Sequence, residues 1–554
     1  MMWASLPRTN QTRELLVILV SLACHIGITV QQRDPINNFC RRWGHQTAVV
    51  DNKLYVDGGL VTWSPSSKLP KNYTNPYFIY HDLSQNASSG MPPPYATLNK
   101  NSSIPNVNGA ILWPDDINKR IYLFGGEFYD DTPWQFALYS YDIIHDYWVN
   151  HGATGSPGIS SLSYGAGLSI SSRGEGYYYG GWMSNATDAS WGSRPRKLTS
   201  YLLKYNMDSN SWTNTTDLDE VGRAEGVMVY IPAGDAGLLI YFGGIRDAGN
   251  GTWEGQPMEE IIIYDILSGK AYVQNATGHI PELRRRFCAG ATWPDDQSSY
   301  NIYLYGGVGE AEGSMGFDDI YVLTIPTFTW IRMYPMDSNK TADFPHHSLS
   351  CNVVNKAQML IHGGFFPLDD DCDSPEQWGL HNLDMGRDNS YNSSWAMYEP
   401  TKTHYVVPTD IISVVGGSAE GGGTKTAPAD GFDHRDLRAL MTRKASAASR
   451  EPTRAIPGND PGPKKGLSTE AVAGIAVGGT VLFIAVLLGA FCLIRRHRRR
   501  KMADESYQSV TQSYSYYHPT LCSNCSHQYP QSPPPVQSRP QTVPPHAGSH
   551  IEPK

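Results

Sequence analysis

Charge is scarce in this sequence: 18% of its 554 residues are Asp, Glu, Lys or Arg, and 44 cationic side chains face 53 anionic ones. A formal net charge of -9 argues against a protein that holds nucleic acid by electrostatics. Glycine is plentiful, at 53 residues, but lacks the every-third-residue period of collagen. No 3.6-residue apolar period links the candidate strands, which argues against an α/β organisation. The 11% of aromatic residues supplies large side chains to bury and argues against disorder throughout.

The charge that is present is unevenly placed. Residues 31–470 hold 34 Lys and Arg against 49 Asp and Glu, whereas residues 495–554 hold 8 against 3. Two apolar runs mark the division. Leu15 to Val30 follows Arg8 and Arg13, the pattern of a secretory signal over residues 1–30, although no clean A-x-A cleavage site is present. Ala471 to Ile494 is 24 residues without a charge, about 36 Å as a helix. That length spans a bilayer core of roughly 30 Å. Arg495, Arg496, Arg498, Arg499, Arg500 and Lys501 follow it, so the positive-inside rule expects a type I single-pass protein of the cell surface or secretory pathway, its acidic body outside. Nine N-x-[ST] sequons in the body agree with that orientation: Asn72, Asn86, Asn101, Asn185, Asn214, Asn250, Asn275, Asn339 and Asn392.

The body repeats itself. An apolar strand runs into Gly-Gly six times, as KLYVDGG, RIYLFGG, GYYYGG, LLIYFGG, NIYLYGG and QMLIHGG, ending at Gly59, Gly126, Gly181, Gly244, Gly307 and Gly364. A strand rich in small residues precedes each pair. An apolar strand carrying Tyr follows in most units (Tyr80, Tyr141, Tyr205, Tyr264, Tyr321), and then an aromatic (Trp148, Trp212, Tyr272, Trp330, Trp395). Small inner residues let sheets crowd round an axis, and outer aromatics fill the widening gap between them. The pattern resembles the kelch repeat over about residues 40–400. That resemblance implies an all-β kelch-type β-propeller over 31–417, one four-stranded sheet per repeat. Six blades are expected if ISVVGG at 412–417 is a closing segment, and seven if it is a weak further copy. The Gly, Ala, Pro and Ser of 418–470 read as a flexible stalk, and 495–554 as a disordered cytoplasmic tail.

Four cysteines fall in the body. In a six-blade ring Cys40 and Cys372 lie where the first and last units meet, and Cys288 and Cys351 lie on neighbouring inner strands; the pairs Cys40–Cys372 and Cys288–Cys351 are expected, out of three possible connectivities. Cys522 and Cys525 in the tail lack the surroundings of a zinc site.

Polar residues at the starts of inner strands form a candidate ligand-binding set: Arg42, Arg223, Glu225, Arg286 and His347. Converging at one mouth of the channel, the arginines could hold a carboxylate, a sulfate or an acidic sugar, or they could pair with Glu225 and carbonyls to tie blades together. Galactose oxidase carries kelch-type blades too, but His45, His347 and His362 do not match its copper constellation, and the S-x-D-x-G-x-x-W boxes of propeller sialidases are absent. No catalytic residue, metal or cofactor is expected. The architecture resembles the single-pass, cell-wall-anchored kelch-repeat proteins of filamentous fungi. That resemblance implies a surface module binding an extracellular protein or glycan, with a Pro-rich tail open to an SH3 or WW partner. A galactose-oxidase-like or carbohydrate-active enzyme is the alternative.

Overall fold

The computed structural model describes residues 33–64, 72–153, 159–215, 219–310, 313–335, 343–446, 449–458, 486–496 and 498. The chain divides into two units, Met1–Asp460 and Pro461–Lys554. In the second, residues 486–496 are helical. Among the described residues no helix is long and apolar enough to cross a membrane. The expected span over 471–494 falls mostly outside them, as do the expected signal and nearly all of the tail.

The first unit is all-β apart from short helical pieces, and six antiparallel sheets follow one another along the chain. The first sheet comprises Gln46–Val50, Lys53–Asp57, Phe78–Asp82 and Pro94–Tyr95. The second is built from Asn108–Asp115, Arg120–Glu127, Leu138–Asp142 and Tyr147–Gly152, and the third from Ala166–Ile170, Glu175–Tyr179, Leu202–Asn206 and Ser211–Thr215. Val227–Ile231, Leu238–Phe242, Glu260–Asp265 and Ala271–Asn275 make the fourth. The fifth consists of Cys288–Thr292, Tyr300–Tyr305, Ile320–Ile325 and Thr329–Tyr334, with Thr277–Gly278 added in parallel at its outer edge. The sixth has three strands, Ser350–Val354, Gln358–His362 and Leu380–Asp384. Each first strand neighbours the first strand of the next sheet, and the sixth neighbours the first, so the order closes on itself.

The residues explain this arrangement. Second strands such as Leu238–Phe242 and Tyr300–Tyr305 are buried at every position, as β-branched and aromatic runs covered on both faces should be. First strands carry small residues because the neighbouring sheet leaves no room: a Cβ on Gly290 would lie 2.4 Å from Val353 Cγ2, and one on Gly167 would lie 2.7 Å from Ile111 Cγ1.

The glycine pairs supply the seams. In every sheet the second glycine donates its N–H to a carbonyl of the next: Gly59 to Val107, Gly126 to Leu162, Gly181 to Arg223, Gly244 to Arg284, Gly307 to His346, and Gly364 back to Arg42. The carbonyl approaches so closely that a Cβ on Gly180 would sit 2.2 Å from Arg223 O, and Gly180 has φ +69 besides. Only glycine meets both demands.

Two disulfides brace the ring. Cys40–Cys372 joins the segment before the first sheet to a loop of the sixth, 332 residues apart, and Cys288–Cys351 joins the first strands of the fifth and sixth sheets. Disulfides of this kind suit an extracellular or secretory compartment.

The chain after the sixth sheet bears on two of these readings. ISVVGG is no strand: Thr409–Val415 is a helix that starts after Pro408, buries Ile411 and Val415 one turn apart and stops at Gly416 with φ +77. Nor is 418–458 a free stalk, for its described residues pack against the sheets, at turns between first and second strands and along the outer strand of the fourth sheet. Gly422 N–H reaches Asp296 of the fifth sheet, and Asp433 binds Gln274 and Asn275 of the fourth. The helix Arg435–Met441 then buries Leu437 and Leu440 in the core shared by those two sheets, each worth about 1.5–3 kcal/mol. Farther on, Arg450 grips Asp115 and Asp208 of the second and third sheets, and Arg454 binds Asp142. Composition misled here because a strap held by a few apolar and cationic side chains can be loop-like everywhere else.

Asp142 is almost wholly buried. Burial alone would raise its pKa, but Arg454, with help from His145, more than offsets this and holds it below the ordinary carboxylate value. A carboxyl depressed in the folded state contributes stability above its unfolded pKa of about 3.9, lost as pH falls through the folded value. Arg454→Ala is expected to lower stability at pH 7 by about 1.5–3 kcal/mol, the worth of a hydrogen bond to a charged group. The gap from wild type should narrow below pH ~4, as urea midpoints measured across pH will show.

Candidate functional site

At the mouth of the channel, one residue from each sheet takes part in a second ring of hydrogen bonds. Gly44 N–H donates to Ser348 O, Ser348 to Arg286, Arg286 to Glu225, Glu225 to Tyr164, Tyr164 to Gly109, and Gly109 back to Gly44, at 2.7–2.9 Å. All six have φ between +54 and +65. The left-handed turn aims each N–H around the ring rather than along a strand, and the first strands begin beside it. Below the ring the first strands enclose a channel of about 530 Å³.

The expected ligand set divides at this point. Glu225 and Arg286 belong to the mouth, and half-buried His347 lies beside them. Glu225 is buried and both its oxygens are taken, by Arg285 at 2.7 Å and Arg286 at 2.5 Å. These two cations hold its pKa down against the effect of burial. Arg285 also meets Glu310 at 2.7 Å, and the Arg286 guanidinium lies 4.6 Å from the centre of the Tyr164 ring. Two cations therefore face two carboxylates, which removes the positive excess on which anion binding was expected. Burial and the nearby arginines lower the His347 pKa to about 4, so this ring is neutral at neutral pH.

Arg42 and Arg223 sit two residues earlier and point elsewhere. They occupy the positions whose carbonyls accept the glycine N–H bonds, inside the seams. Arg223 is clamped by Asp219 at 2.5 and 2.7 Å, by Gln256 and by the Tyr179 hydroxyl. Arg42 is fully buried against Phe39, with His362 Nε2 at 3.5 Å. His45 stands 3.1 Å from His362 and 3.0 Å from the Ser350 hydroxyl, and His81 packs edge-on to His362. Burial lowers the Arg42 pKa to about 10 and that of His81 to about 4. This cluster fills the seam between first and sixth sheets. Among the described residues no three His, Cys, Asp or Glu side chains are grouped to hold a metal.

Three participants escaped the sequence reading. Arg284 is the seam equivalent of Arg42 and Arg223, buried against Asp319. Tyr164 and Arg285 complete the mouth. Counting two residues back from each first strand would have found Tyr164, because five of the ring residues hold that register.

Of the nine sequons, Asn86, Asn101, Asn185, Asn214, Asn250, Asn275 and Asn392 are exposed, Asn72 is partly so, and Asn339 lies outside the described residues.

Comparison with known proteins bears on this architecture. No family model matches the sequence. The chain is 27% identical, over an alignment 574 positions long, to a Kelch repeat-containing protein of Arthroderma benhamiae, covering 91% of this chain and 83% of that protein. The likeness supports the kelch-repeat family. The solved structure of YjhT aligns at 14% identity with a TM-score of 0.42, covering 64% of this chain and 98% of that one. The Gly-Gly pairs are the inter-sheet donors. The repeat's aromatics pack between sheets: the buried Trp330 sends its indole N–H to Met258 O of the preceding sheet.

Proposed function

We propose that this chain is a six-bladed kelch propeller displayed outside the cell by a single membrane span over 471–494, acting as a binding or adhesion module for a protein or glycan at the surface or wall. The basic, Pro-rich tail relays occupancy to a cytoplasmic partner. The observation that carries the reading is the Cys40–Cys372 bridge, which at once closes the ring of sheets and suits an oxidising compartment. Rigid seams leave the loops between strands as the variable surface, which is where scaffolds of this kind carry recognition. In this reading the paired arginines of the mouth serve the scaffold.

The test is topological. Peptide N-glycosidase treatment of the full-length chain should increase its gel mobility, and protease added to intact cells should leave a small C-terminal fragment. An unglycosylated body protected from protease overturns the orientation. Glycan and surface-protein arrays probed with the full-length chain then identify the partner class, and turnover of a sugar by the same sample overturns the binding-only role.

A further inference from the structure

A cavity of about 450 Å³ opens between the fifth and sixth sheets, away from the channel. Its size falls within the roughly 300–1,000 Å³ of small-molecule sites. One wall is the loop 369–374, pinned by the Cys40–Cys372 bridge and by Arg41, which binds the Asp369 carboxylate and the carbonyls of Asp369 and Asp371. Aromatic faces from Tyr334, Phe344, Phe366 and Trp395 supply much of the rest.

The polar groups left over are acceptors. His346 is buried, with its ring stacked 4.4 Å from Phe366. Its Nδ1 lies 2.7 Å from Phe344 O, and a carbonyl can only accept, so the proton is on Nδ1 and Nε2 carries a lone pair. That Nε2 is buried without a partner. Burial lowers the His346 pKa to about 4, so the ring remains neutral at neutral pH. Asp373 is likewise buried: its Oδ1 meets His381 Nε2 at 2.8 Å while its Oδ2 has no partner. Burial works against its ionised form, but His381 more than offsets this and keeps it charged. Four carboxyl groups, Asp318, Asp369, Asp371 and Asp373, line the cavity against one arginine, Arg41, and one histidine, His381, both already engaged.

A buried acceptor without a donor is a standing cost to the folded state. Two such acceptors in one aromatic-walled cavity with excess negative charge call for a donor that is also a cation. A metal ion is a poorer match, because the described residues group no set of three ligands. We propose that this cavity binds a protonated primary amine on an aromatic-sized apolar body, the ammonium donating to His346 Nε2 and Asp373 Oδ2 and the body lying against Trp395 and Phe366. This site is independent of the surface-binding role.

Asp318 gives the site a signature in pH. It accepts from the Tyr305 hydroxyl and, at 3.0 Å, from Phe344 N–H. Burial, with the charges of Asp319 and Asp343, raises its pKa to about 6; Tyr334 and His381 also face it. Its negative charge, and with it part of the attraction for an ammonium, is lost as pH falls through that value.

Isothermal titration of the purified full-length chain with tyramine and with tyrosol, which replaces the ammonium by a hydroxyl on the same body, tests the assignment. Tyramine is expected to bind at least tenfold more tightly than tyrosol at pH 7.5, and to weaken several-fold by pH 5. Asp318→Asn should weaken tyramine about tenfold and flatten that pH dependence, and Asp131→Asn, an exposed loop change, should do neither. Equal binding of the two probes, binding of neither, or a wild-type affinity indifferent to pH between 7.5 and 5 overturns the proposal. The two wild-type arms decide it even if the Asp318 variant fails to fold.

Discussion

Gly180→Ala is expected to destabilise the body by about 3–6 kcal/mol, enough to prevent accumulation of folded protein, whereas Gly249→Ala should cost about 1–2 kcal/mol. The two glycines have similar backbones, φ +69 and φ +82, so the strain of placing an L-residue there is common to both. They differ in surroundings. An added Cβ at Gly249 meets nothing within 4 Å, while at Gly180 it lands 2.2 Å from the Arg223 carbonyl that accepts the 2.7 Å bond from Gly181 N–H. Alanine must push that carbonyl away, breaking the bond between the third and fourth sheets and spreading the seam. Urea midpoints of the two variants check this. Equal losses at the two sites would mean that backbone strain alone, and not the seam, selects glycine.

The second large effect concerns ring closure. Replacing Cys40 and Cys372 together by Ala should cost about 3–5 kcal/mol, because the unfolded chain regains the entropy of a loop of 332 residues. Replacing Cys288 and Cys351 should cost about 1.5 kcal/mol less, since the closed loops are 332 and 63 residues long and the entropy grows with the logarithm of length. Paired denaturation curves of the two double variants measure the difference. A larger loss from the Cys288 and Cys351 pair would locate the weak seam between the fifth and sixth sheets instead of at the closure.

The glycine pairs were legible in the sequence because one physical demand recurs in six places: an amide must reach a neighbouring carbonyl where no Cβ fits. The candidate site was half legible. Glu225 and Arg286 point into the mouth, whereas Arg42 and Arg223, two residues upstream, enter the seams; a left-handed turn separates the two registers, and no residue type announces it. Tyr164 and Gly109 hold the same ring position with unrelated side chains, since that position is defined by backbone alone. The strap was illegible for a related reason. Leu437, Leu440, Arg450 and Arg454 acquire partners only once sheets distant in sequence have formed, and His346, Asp373 and Trp395 share a cavity only because a loop is folded back by Cys372.

The path of the strap also sets how the molecule answers tension. A chain held by its C-terminal end transmits load first to Arg454 on the second sheet, next to Arg450 on the second and third, and then to Lys444, whose ammonium meets Asp296 O. Leu440 and Leu437 follow, drawn from the core of the fourth and fifth sheets. These attachments lie in series, so they yield one at a time, like stitches, and slack is released with each. The sheets lie beyond the last stitch, and the bridge from Cys40 to Cys372 prevents them from parting at the closure. Pulled from that end, the molecule lengthens in steps while its ring of sheets stays whole.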